Sequence, residues 1–67
     1  MNHDAFVQNH SAWSSFTEML NHEFLKQTGR GMYAYITPIM ISNVYAQYQN
    51  ENKSLHDFVQ HYVRIYS

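Results

Sequence analysis

A chain of 67 residues without cysteine makes one domain, residues 1–67, and excludes disulfide frameworks, thiolate nucleophiles and zinc–thiolate sites. Four Lys and Arg against five Asp and Glu give a formal net charge of −1, which disfavours the basic patch by which nucleic-acid binders hold phosphates. No basic stretch leads into an apolar run at the start, and the longest apolar-leaning window, residues 32–41, is broken by Thr37 and Pro38. A soluble, cytoplasmic protein with no membrane partner is therefore expected.

The chain begins Met1-Asn2-His3. A free amine, two amide nitrogens and a third-position imidazole wrap Cu(II) or Ni(II) in a square plane. Any chain with histidine third has this ability, so the motif is read as incidental and no metal or cofactor is expected.

Phe6, Trp13, Phe16, Leu20 and Phe24 fall on one face if residues 4–27 form a single helix. Asn9, His10 and Ser11 are poor helix formers and good caps, so a short helix followed by a second one from Ser11 fits equally well. Within the same segment, His22-Glu23-Phe24-Leu25-Lys26 resembles the zinc-protease helix motif for four residues and then fails. Lys26 stands where the second histidine is needed, which removes the two-histidine ligand pair. Gly29 is placed to end the helix as a left-handed residue.

The stretch TGRGMYAYITP, residues 28–38, holds both glycines and the only proline. A phosphate loop would need a helix start directly after the glycines and a lysine to reach the anion. Instead Met32-Tyr33-Ala34-Tyr35-Ile36 alternates as a short extended connector, with Met32, Ala34 and Ile36 inward. Tyr33 and Tyr35 then point outward beside Arg30, and Tyr and Arg are residues that anchor interfaces.

Thr37 caps the next helix and Pro38 occupies its first turn, where a missing N–H costs nothing. Ile36 and Ile41 stand at the positions of a hydrophobic staple, and Ile41, Val44, Tyr45 and Tyr48 form the inward stripe. Polar turn residues 49–53 end it. Ser54 caps the last helix, with Asp57 placed to complete a capping box. Leu55, Phe58, Val59, Tyr62, Val63 and Tyr66 repeat at i, i+3, i+4, i+7, i+8 and i+11 on one face. The opposite face carries His56, Asp57, Gln60, His61 and Arg64, with Asp57, His61 and Arg64 read as a solvated ion-pair set. Asn9-His10-Ser11 and Asn52-Lys53-Ser54 match the glycosylation triplet but read as caps.

The fold expected is all-α: a small bundle of three helices, or four if the first segment is divided, with a short extended connector. Its core is Trp13, Phe16, Leu20, Phe24, Val44, Tyr45, Phe58, Val59 and Tyr62. No nucleophile–base pair is visible, so no catalytic residues and no enzymatic activity are expected. The favoured function is binding of another protein as adaptor, regulator or inhibitor, roles common among short chains, including those carried by phages and plasmids. Arg30, Tyr33, Tyr35, His61 and Arg64 are the candidate partner-binding residues. A homodimer follows naturally, because Val7, Met19, Leu25 and Ile65 lie off the main stripes. The alternative is a nucleic-acid-binding regulator in which the second and third helices form a helix-turn-helix-like pair. Five histidines against so few other charges also allow a pH-dependent association.

Overall fold

The computed structural model describes the backbone of residues 2–67 and the side chains of residues 12–67. Met1 and the side chains of His3, Phe6, Val7, Asn9, His10 and Ser11 lie outside the described residues, and with them the amino-terminal copper motif. In chain order the elements are α1 (Asn2–Thr28), a single 3-10 turn (Met32–Ala34), α2 (Pro38–Gln49) and α3 (Leu55–Arg64). The architecture is an all-α bundle of three helices.

The first segment is one helix and not two. Asn, His and Ser in a helix interior each cost at most about 0.7 kcal/mol against alanine. Breaking the helix there would forfeit its backbone hydrogen bonds and require a second nucleation. At about 1.5 Å per residue α1 is roughly 40 Å long. It therefore sets the long dimension of the molecule, which measures 42 × 23 × 20 Å.

The other two helices pack on the second half of α1. The stripe predicted for that half, Phe16, Leu20 and Phe24, is completely enclosed. α2 runs antiparallel to α1: the Asn21 side chain holds the Met32 amide just upstream of α2, and Tyr45 and Tyr48, near the end of α2, reach Trp13 and Phe16. α3 runs in the direction of α1. Leu55 flanks Met19 at its start, Gln27 Nε2 donates to the Gln60 carbonyl at 3.2 Å, and Tyr66 lies against Phe24.

Both carboxyl-terminal helices start as their sequences require. Thr37 Oγ1 accepts the Met40 amide at 3.3 Å, Pro38 follows in the first turn, and the staple residues Ile36 and Ile41 are both buried. Ser54 Oγ accepts the Asp57 amide at 3.2 Å. In α3, Phe58, Val59 and Val63 are buried, with Leu55, Tyr62 and Tyr66 packed half-buried around them.

Nine aromatic rings form one connected belt through this core. Its links run from Trp13 to Tyr45 (5.1 Å between centroids), Tyr45 to Phe16 (4.9 Å), Phe16 to Tyr48 (5.6 Å) and Tyr48 to Phe58 (5.4 Å). They continue from Phe58 to Tyr62 (6.5 Å), Tyr62 to Tyr66 (5.6 Å), Tyr66 to Tyr35 (5.8 Å) and Tyr35 to Phe24 (5.2 Å). Ring pairs at such separations add to area burial, which gives a small core more cohesion than its apolar surface alone. The high aromatic content is thus mostly spent inside.

Candidate interaction surface

The connector between α1 and α2 is built from its hydrogen bonds. Gly29 takes φ +83°, a left-handed conformation that side chains rarely adopt, and its amide donates back to the Leu25 carbonyl at 3.0 Å. Thr28 Oγ1 donates to the Phe24 carbonyl at 2.6 Å and accepts the Arg30 amide at 3.1 Å. Asn21 Oδ1 then accepts the Met32 amide at 2.9 Å. A Cβ on Gly31 would lie 3.0 Å from that same oxygen, so glycine here lets Asn21 approach the connector.

Past Gly31 the chain coils and does not extend. The Ala34 amide donates to the Gly31 carbonyl and the Tyr35 amide to the Met32 carbonyl, closing the 3-10 turn. This corrects the extended reading. With about three residues per turn, Met32 and Tyr35 come to the same side, whereas a period of two would have paired Tyr33 with Tyr35. Met32 and Ile36 are buried as expected, but Ala34 is exposed. Tyr35 is half-buried, stacked on Phe24 at an interplanar angle of 15°. Tyr35 therefore belongs to the core and leaves the outward set. Tyr33 remains 68% exposed, the one aromatic among the described side chains without a ring in the belt.

His61 and Arg64 are exposed on α3. The ion-pair set expected around them is not formed: Asp57 Oδ1 lies 3.9 Å from His56 Nδ1, and Arg64 has no acidic partner among the described residues. His61 lines a shallow cleft of about 210 Å³ with Gln47, Phe58, Tyr62 and Ile65, whose edge carries the Lys53–Glu51 ion pair at 3.8 Å. An open groove of about 330 Å³ runs along α1 past Ser15, Glu18, Met19 and His22 to Leu55. The first falls below the roughly 300–1,000 Å³ of sites that enclose small molecules and the second only reaches the lower end of that range, and both are open to solvent.

Glu23, the acid of the incomplete zinc-protease motif, is buried. Its carboxylate accepts from Gln27 Nε2 at 2.9 Å and lies 3.9 Å from Lys26 Nζ, while Gln27 goes on to the Gln60 carbonyl. Glu23 thus ties α1 to α3 through Gln27, a role its place beside an exposed His22 did not disclose. The one sequence signal was its position a turn from Leu20 and Gln27 on the packed face. Among the described residues no cluster of three or more His, Asp or Glu side chains gathers to hold a metal ion, and no helix is long and apolar enough to cross a membrane.

The candidate residues fall into one neighbourhood and one outlier. Tyr66 lies against both Phe24 and Tyr35, and Gln27 reaches the Gln60 carbonyl, so the last turn of α3 lies beside the last turn of α1 and the connector. Arg30, Tyr33 and Arg64 thereby share one end of the bundle. His61 lines the cleft on the flank of α3 that faces α2. Comparison with protein-family models, with curated proteins and with solved structures finds no match.

Proposed function

We propose that this chain is a small non-catalytic helical protein of the cytoplasm that works by binding another protein, as an adaptor, regulator or inhibitor. The observation that carries the reading is the exposure of Tyr33 in a molecule that folds nine other rings into its core. A tyrosine left outside such a core, three residues from an exposed arginine, has the composition of an interface anchor. Ile39 and Ile65 are large apolar side chains left 75% and 73% exposed.

The test is affinity capture from cells that produce the chain, using the tagged wild type and an Arg30→Ala/Tyr33→Ala double variant side by side. Both substituted side chains are exposed, so the variant keeps its thermal unfolding midpoint. A stoichiometric protein held by the wild type and lost from the variant supports the reading. Equal capture by both, or a second copy of the chain as the sole companion, counts against the connector as the binding surface.

A further inference from the structure

We infer that the end of the bundle formed by Arg30, Tyr33 and Arg64 docks an acidic segment of a partner protein; this rests on the protein-binding reading and names the chemistry of the partner.

The argument starts from how charge is distributed. Of the four basic residues, Lys26 lies 3.9 Å from the Glu23 carboxylate and Lys53 lies 3.8 Å from that of Glu51. The other two, Arg30 and Arg64, are exposed and make no ion pair among the described residues. Both stand at the end where α1 and α3 finish. The acids lie elsewhere or are sealed: Asp4 stands near the start of α1, Glu18 is in its middle, Glu51 follows α2, Asp57 is in the first turn of α3, and Glu23 is buried. That end therefore presents two guanidinium groups with no acidic partner among the described residues, on a chain whose net charge is −1.

Helix electrostatics accounts for one of them at most. A cation in the last turn of α3 complements the partial negative charge there, which explains Arg64 as it explains Lys26 on α1. Arg30 has no such duty. It lies beyond Gly29, outside the last turn of α1, where a cation no longer complements the helix end. A guanidinium fork matches a carboxylate in a bidentate pair, and Tyr33 between the two arginines in chain order adds apolar contact area with a hydroxyl at its tip.

A polypeptide suits this surface better than a nucleic acid. Phosphate binding draws on many cations in line, and its affinity scales with the number of phosphates neutralised. Two arginines unpaired among the described residues, with an exposed Asp57 on the same helix as one of them, make a poor phosphate track, but are enough to pair with two carboxylates.

The experiment selects random peptides displayed on phage against the immobilised full chain, then measures the best synthetic peptide by fluorescence polarisation. The same peptide is titrated against Arg30→Ala/Arg64→Ala, against the charge-only variant Arg30→Gln/Arg64→Gln, and against Tyr33→Ala. Labelled single-stranded and duplex DNA are titrated in parallel. The expected result is enrichment of peptides rich in Asp and Glu, whose binding weakens with added salt and falls about tenfold or more in both double variants. Enriched peptides without acidic residues, or bound equally by the double variants, would overturn the acidic partner while leaving a protein-binding surface in place. No enriched peptide at all would remove both readings. Arginine-dependent binding of DNA without any acidic peptide would replace the inference with nucleic-acid recognition.

Discussion

Tyr62 on α3 and Tyr66 just past its end place their hydroxyls 3.1 Å apart. Burial, and then the hydrogen bond to Tyr66, push the Tyr62 phenol above its ordinary value of 10.0. The folded chain thus keeps this proton to higher pH than the unfolded chain does. Its stability contribution is complete below 10.0 and is lost as pH rises beyond that value, because only the unfolded state then gives up the proton. Tyr62→Phe should cost about 0.5–1.5 kcal/mol near neutrality, the worth of one hydrogen bond. It should also flatten the alkaline limb of the stability curve, measured by urea unfolding between about pH 8 and about pH 11. An alkaline limb of unchanged slope would mean that other groups govern it.

Single residues were the least legible level of this sequence. Glu23 carries a charge, and a charge on a helix defaults to the solvent face, yet its position on the Leu20–Gln27 side and a glutamine partner one turn on allowed it to be buried. Tyr35 and Ala34 were exchanged because five residues of alternating hydrophobicity do not separate a strand from a tight helical turn. The deciding contact, Asn21 to the Met32 amide, joins residues eleven apart in the chain, and no local pattern announces it.

Elements were far more legible, since their starts and stops depend on local chemistry. Gly29 stops α1, Thr37-Pro38 starts α2 and Ser54 starts α3, each with the hydrogen bond that its residue type supplies. Thr37→Ala and Ser54→Ala should each lower stability by about 1 kcal/mol. The two caps begin different helices and share no partner, so the double variant should lose the sum to within about 0.5 kcal/mol. A double variant no less stable than either single one in urea would show that α2 and α3 are held by tertiary packing alone. The division of residues 4–27 stayed open in the sequence because capping residues report where a helix can end, whereas whether it does depends on what the chain gains by leaving it.

At the scale of the whole molecule, α1 is the spine on which a short antiparallel helix and a short parallel one are laid, and the aromatic belt closes the seam between all three. The helical periodicity of the sequence carries the helices and their apolar faces, but not the directions in which α2 and α3 lie on α1. The proposed binding surface does not appear in it, because such a surface has no period. It would show only among what the core leaves exposed, and is proposed to lie at Arg30, Tyr33 and Arg64. The claim that this end is the working surface is tested most directly by placing a photoreactive phenylalanine analogue at position 33, with Ala46 on the exposed side of α2 as the control position. Irradiation in the producing cells should yield one discrete covalent adduct from position 33 and none from position 46. Adducts of equal yield from both positions, or from position 46 alone, would contradict the account.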